Sequence, residues 1–112
     1  MAKKQREFKQ LLQDLINNNP NNLVRNGELR LESQELNIID LTVLAEALKG
    51  NNTVTQINLT YNNIDPEGAK VLGNMLKVNN TITHIDLSNN DIGPEGAKVL
   101  AKNLLSKVVK KE

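Results

Sequence analysis

The spacing of apolar positions along this chain switches between two periods, and the switch recurs. Ile57 and Leu59 alternate with polar neighbours, which predicts a strand with one buried face. Farther on, Leu72 and Leu76 lie at helical spacing among small residues, which predicts a helix. The residues 65–67 between them read Asp-Pro-Glu and predict the start of that helix, because Asp caps, Pro suits the first position and Glu complements the dipole. Asn79 and Asn80 predict the end of the helix, because Asn tolerates the left-handed conformation that ends a helix.

This strand and helix belong to a unit that the chain repeats. Residues 54–81 and 82–109 align without gaps, and 13 of the 28 paired positions are identical. A more divergent copy precedes them at residues 26–53, with leucines at the equivalent apolar positions. A fixed period of this length predicts a stacked array in which each unit buries the apolar flank of its neighbour.

An amphipathic segment precedes the repeats. Its apolar residues lie one helical turn apart, at Phe8, Leu11, Leu12, Leu15 and Ile16, and predict a capping helix over residues 4–18. The interpretation of the chain is therefore a capping helix and turn (1–25), followed by three repeats with a short basic tail (26–112). The repeat bounds are 26–53, 54–81 and 82–109.

The repeated string can be compared with a known family. It reads Leu/Ile-x-Leu-x-x-Asn-x-Ile-x-x-x-Gly-Ala-x-x-Leu over Ile57–Leu72 and Ile85–Leu100, and more weakly over Leu29–Leu44. This pattern resembles the leucine-rich repeat of the ribonuclease-inhibitor type. The resemblance implies a short right-handed α/β solenoid, with a parallel sheet on the concave side, helices on the convex side and the N-terminal capping helix. It also implies that Asn62 and Asn90 form an internal ladder that satisfies loop backbone groups.

The outward positions of the three predicted strands form what we call the polar sheet face. Its three columns are Glu28, Gln56 and His84; Arg30, Asn58 and Asp86; and Glu32, Thr60 and Ser88. The resemblance implies that partner proteins dock on this face, although a merely solvated sheet face is the alternative. The face spans only ~10 by ~13 Å, far below the roughly 800 Å² that each partner buries in an ordinary stable interface. Either the adjoining loops and Tyr61 contribute, or affinity is weak, or the chain associates with itself.

The C-terminal end carries the signs of self-association. The strand within residues 82–88 is the last one, so its outer edge has no partner in the array. The last helix also has apolar residues where the preceding repeat is polar, namely Leu105, Val108 and Val109. A homodimer through this end is one interpretation. A cap formed by the tail over its own end is the other.

Residues that support catalysis or metal binding are scarce. The chain has no Cys and one His, which excludes thiol catalysis and leaves no His or Cys partner for a zinc site. Ser88, His84 and Asp86 lie on one strand two residues apart, side by side and solvated, without an oxyanion hole. We therefore expect no enzyme activity, no catalytic residue, no cofactor and no metal.

Charge and composition narrow the partners. The net charge is +1, with one Phe, one Tyr and no Trp, so neither a nucleic-acid surface nor a membrane contact is expected. A cytoplasmic location is the default expectation, with signal-independent secretion into a host cell left open. The sequence predicts a non-enzymatic protein-protein interaction module of the adaptor, regulator or effector type, whose partner it does not identify. The alternative is a self-assembling structural element that uses the C-terminal end.

Overall fold

The described part of the chain is an α/β fold with a mainly parallel sheet and three helices, in agreement with the predicted class. A computed structural model describes Leu12 and residues 24–111, with side chains as far as residue 103. In chain order the elements are β1 (Val24–Arg25), β2 (Glu28–Arg30), α1 (Ile38–Lys49), β3 (Gln56–Asn58), α2 (Pro66–Val78), β4 (His84–Asp86) and α3 (Gly93–Lys111). Leu12 is helical and buried, and the rest of the predicted capping helix lies outside the described residues.

Strand pairing follows the repeat. In the order β1-β2-β3-β4, the last three strands are parallel, and each residue pairs with the one 28 positions later. Leu29 lies opposite Ile57, and Ile57 opposite Ile85. Equivalent side chains therefore stack in columns across the sheet, and the alternation of the sequence places each column on one face.

The strand β1 was not predicted. It pairs antiparallel with β2 through a two-residue turn at Asn26 and Gly27, whose φ angles are 53° and 83°. Two successive positive φ angles define the type I′ turn, for which Asn-Gly is the favoured sequence. A Cβ added at Gly27 would lie 2.5 Å from the Thr55 hydroxyl oxygen, so this turn also needs glycine for space. The hairpin covers the edge of β2 that faces away from β3.

The core lies between the sheet and the helices and is aliphatic. Leu29, Ile57 and Leu59 of the sheet side are at most 2% exposed, and the helix residues Leu44 and Leu72 are fully buried. The helices pack closely because small residues lie between them. A Cβ added at Gly73 of α2 would come within 2.6 Å of a Val99 methyl carbon on α3.

The helix α2 begins where the sequence predicts. Asp65 caps α2, with its carboxylate accepting a hydrogen bond from the Gly68 N–H at 2.8 Å, and Pro66 follows as the first helical residue. In the divergent first repeat Asn37 and Asp40 form a reciprocal capping box instead. The different residues thus satisfy the same free N–H groups.

The end of α2 differs from our prediction. The sequence suggested that Asn79 and Asn80 end the helix through a left-handed conformation, but Asn79 is extended, with φ −82° and ψ 127°. The helix ends where the sequence predicts, but the predicted left-handed conformation is wrong, because Asn79 acts through its buried side chain. Its amide Nδ2 donates to the Leu48 carbonyl at 2.6 Å, and its Oδ1 accepts from the N–H groups of Thr81 and Ile82. Asn79 therefore ties two repeats together at the point where the chain returns to the sheet.

Within the described residues, no helix has both the length and the apolar character needed to cross a lipid bilayer.

Candidate functional site

The polar sheet face has the layout that the sequence predicts. Glu28, Gln56 and His84 are paired neighbours across the three parallel strands, and so are Arg30, Asn58 and Asp86. The hydrogen bonds continue into the third column, where Ser33 N–H donates to the Thr60 carbonyl and Tyr61 N–H to the Ser88 carbonyl. All nine side chains of the face are exposed or half-buried, whereas Ile57 between them is 2% exposed.

The polar sheet face is net acidic. Glu28, Glu32 and Asp86 are its carboxylates, and Arg30 is its guanidinium. Arg30 pairs with Glu32 at 3.1 Å on the surface, where such a pair contributes little to stability. The pKa of Asp86 is lowered because the Ser88 backbone N–H and hydroxyl both donate to its carboxylate, at 3.0 and 2.7 Å. The described charges of this face therefore favour a partner surface of positive charge.

His84 and Asp86 of β4, together with Ser88 just after the strand, do not form a Ser-His-Asp catalytic arrangement. The Ser88 hydroxyl donates to Asp86, and the His84 Nδ1 lies 2.9 Å from the Thr83 hydroxyl. In a catalytic triad the imidazole accepts the proton of the serine hydroxyl. Here that hydroxyl donates directly to the Asp86 carboxylate, and the imidazole does not contact it. In the described part of the chain, no three His, Asp or Glu side chains converge on a metal-binding position.

Asn62 and Asn90 form the predicted ladder. Asn62 is 1% exposed; its Oδ1 accepts from the N–H groups of Gln34 and Leu36, and its Nδ2 donates to the Leu31 carbonyl of the preceding repeat. Asn90 repeats these contacts with Asn62, Ile64 and Leu59. Each asparagine thus fixes the loop of the repeat before it.

The loops around this ladder hold an unusual backbone. Positive φ angles, between 55° and 61°, occur on either side of the ladder positions at Ser33, Glu35, Tyr61, Asn63 and Asn89. Left-handed backbone is costly for residues other than glycine, and most of all for a bulky one such as Tyr. The 28-residue spacing of Ser33, Tyr61 and Asn89 shows that the conformation belongs to the repeat, where the ladder hydrogen bonds hold it in place.

A groove follows these loops along the carboxyl ends of the strands. Its volume is about 510 Å³, and its lining residues are Glu35, Leu36, Tyr61, Asn62, Asn63 and Asn89. Tyr61 is 63% exposed, and it directly follows Thr60 of the polar sheet face. We call this feature the loop groove. It lies next to the polar sheet face, at the carboxyl ends of the strands. Of its lining residues, the sequence predicted only Tyr61 as a contact residue.

The structure describes only part of the predicted C-terminal self-association surface. Leu105, Val108 and Val109 lie within the backbone range of α3, but their side chains are outside the described part of the chain. Their role in self-association therefore stays a prediction. The edge of β4 is described, and Ile85 at its centre is only half-buried.

Comparison with known proteins shows similarity to a repeat family and to solved structures. A family model described as "Leucine Rich repeat" matches residues 50–73 and 78–101. A solved structure described as "Leiomodin-1 Actin-Binding Site 2 (ABS2)" is similar to the chain, with a TM-score of 0.74, 28% sequence identity and 88% of this chain covered. The match covers 55% of the length of that solved chain. No curated protein matches the sequence.

Proposed function

Residues 50–101 are leucine-rich repeats of the ribonuclease-inhibitor type, and from this premise we propose that the chain is a non-enzymatic module that binds a protein partner. The polar sheet face and the loop groove together form the binding surface. Modules of this repeat are generally not catalytic, and the Ser88 hydroxyl donates to the Asp86 carboxylate while the His84 Nδ1 lies next to the Thr83 hydroxyl.

One observation carries this proposal. The inward-facing column Leu29, Ile57 and Ile85 is uniformly aliphatic, while the outward-facing columns Glu28–Gln56–His84 and Arg30–Asn58–Asp86 change their chemistry at every step. Packing explains the uniform columns, since each side chain contacts its copy in the next repeat. It gives no reason for an acid, an amide and an imidazole in one exposed column, whereas a particular partner surface does.

The loop groove adds contact area to the small polar sheet face. Exposed Tyr61 offers a large, rigid contact area, and tyrosine is enriched among the residues that dominate interfaces. Its backbone is held by the hydrogen bond from its N–H to the Ser88 carbonyl at 3.2 Å. A partner that contacts both surfaces therefore meets a preorganised anchor beside the acidic columns.

Actin is the first partner to test, because the similar solved structure is described as an actin-binding site of leiomodin-1. We expect Tyr61→Ala to weaken partner binding at least about tenfold, which is the loss of a moderate interface anchor. Lys70→Ala on the exposed side of α2 is the control and should bind like the parent chain. Cosedimentation with actin filaments measures both.

Equal losses for the two variants would place the contact away from Tyr61 and contradict the proposed surface. A parent chain that does not sediment with actin removes actin as the partner. The same pair of variants is then measured with the protein captured by cross-linking.

Self-assembly through the C-terminal end is the second candidate function. It is favoured by one observation, the half-buried state of Ile85, whose equivalent Ile57 is 2% exposed. An apolar residue at the outer edge of a sheet loses this exposure when another strand is added.

A further inference from the structure

The last described repeat exposes a flank that the other repeats bury. Ile57, Leu59 and Ile64 are at most 2% exposed, whereas their equivalents Ile85, Leu87 and Ile92 are only half-buried. The residue types are the same at all three positions. The difference follows from position, since no strand of the described residues lies beyond β4.

The outer edge of β4 has backbone groups that point outward and can form hydrogen bonds with another strand. Inside the sheet, the Thr55 carbonyl accepts from Thr83 N–H, and the N–H groups of Leu59 and Tyr61 donate to the next strand. By the 28-residue register, the Thr83 carbonyl and the N–H groups of Leu87 and Asn89 face outward from β4. These groups belong to alternate residues, so the N–H and carbonyl of Ile85 face outward as well. Such an edge is a template for a further strand.

The helix α3, which follows β4, has small exposed side chains that allow another helix to pack closely against it. Ala97 and Ala101 of α3 are exposed, and they correspond to Ala69 and Gly73, which are the positions where α2 receives α3. Together with the three half-buried residues they form the open flank: Ile85, Leu87, Ile92, Ala97 and Ala101. Small side chains allow helices to approach closely, so this flank is continuous from sheet to helix.

A complementary pair of polar side chains at the edge indicates which partner fits the open flank. On the polar sheet face, β4 presents His84 and Asp86 on either side of Ile85. When two antiparallel copies of β4 meet with Ile85 on a twofold axis, each His84 lies opposite the Asp86 of the other copy. The edge is thus complementary to itself, and opposite-charge or hydrogen-bonding pairs across strands are stabilising.

The side chains are disposed for this contact. Asp86 Oδ1 accepts from Ser88 at 3.0 and 2.7 Å, which orients the carboxylate. The imidazole of His84 is held at Nδ1, 2.9 Å from the Thr83 hydroxyl, and its Nε2 has no hydrogen-bond partner among the described residues. Each copy therefore contributes one oriented acceptor and one available imidazole nitrogen.

We infer that the open flank binds a second copy of this chain, through an antiparallel contact between the two β4 strands with Ile85 on the twofold axis. The inference rests on the second candidate function, self-assembly, and specifies its partner and register. The outward N–H and carbonyl of Ile85 bond to the same groups of the other copy. Leu87 N–H bonds to the Thr83 carbonyl on each side.

Charge exchange tests the register. Sedimentation equilibrium of the full chain should show a monomer–dimer equilibrium. His84→Glu places two acids opposite each other, and Asp86→Lys removes the acceptor of His84, so each is expected to weaken the dimer about tenfold. The double variant with both substitutions has a carboxylate opposite an ammonium group on each side of the axis, and its dissociation constant should return to within about threefold of the parent. Asn74→Glu, which adds a carboxylate at an exposed position of α2 away from β4, is the control and should leave the dimer unchanged.

The double variant also lacks the Asp86–Ser88 hydrogen bonds, so its recovery cannot come from them. A dimer whose double variant is as weak as the combined single variants overturns this register while leaving self-assembly in place. A chain that stays monomeric at every concentration overturns both. Circular dichroism of each variant shows whether the fold is retained, and a weakened dimer supports the inference only for a folded variant.

Discussion

Replacement of Asn62 by alanine should lower the free energy of unfolding by about 3–5 kcal/mol, because it leaves several buried backbone groups without a partner. The Asn62 side chain accepts from the N–H groups of Gln34 and Leu36 and donates to the carbonyls of Leu31 and Leu59. At 1% exposure, water does not replace these partners without opening the loop. The loss is therefore large for a single polar side chain.

Two other asparagines provide the comparison for this variant. Asn90 makes the same kind of contacts but is half-buried, so Asn90→Ala should cost about 1–2 kcal/mol. Asn74 is exposed on α2, and Asn74→Ala should stay within about 0.5 kcal/mol of the parent chain. Urea denaturation measures all three. If Asn62→Ala costs no more than Asn74→Ala, the ladder does not support the loops.

Truncation of Ile57 should be much more costly than truncation of Ile85, although both residues occupy the same position of the repeat. Ile57 is 2% exposed between two neighbouring repeats, so Ile57→Ala removes buried methyl groups and leaves a cavity, at about 3–4 kcal/mol. Ile85 is half-buried at the edge, so Ile85→Ala should cost about 1–2 kcal/mol.

The same denaturation measurement checks this pair, at concentrations low enough to keep the chain monomeric. Equal losses for Ile57→Ala and Ile85→Ala would mean that the last repeat is as well covered as the middle one. In that case the open flank does not exist in solution.

The repeat explains why so much of the fold could be predicted. Its 28-residue period determines which residues pair, as in Leu29 opposite Ile57, because stacked copies place equivalent residues side by side. The alternation around Ile57 determines which side chains face outward, since a one-residue shift would turn every one of them over. The ladder role of Asn62 was implied by the family pattern and is confirmed by its hydrogen bonds.

The missed features have local causes. The strand β1 has two residues, too few to show alternation, and only the Asn26-Gly27 pair indicates its turn. Asparagine can end a helix through a left-handed backbone or through its side chain, so the sequence around Asn79 could not distinguish the two.

The loop groove could not be predicted for a different reason. It depends on positive φ angles at residues such as Glu35 and Tyr61, whose types do not favour that conformation. Long-range hydrogen bonds from Asn62 and Asn90 support the loops, and these partners lie 26–31 residues away along the chain. The strand pattern therefore predicts the polar sheet face, but it does not predict the adjoining loop groove.

Site-specific photo-cross-linking tests most directly whether the polar sheet face binds a protein. A photoreactive residue placed at Gln56 lies on that face, and one placed at Lys70 lies on the exposed side of α2. We predict that the Gln56 position cross-links to a partner protein in extracts of the native source, and that the Lys70 position does not. Cross-linking of the same partner from Lys70, with none from Gln56, would contradict the account.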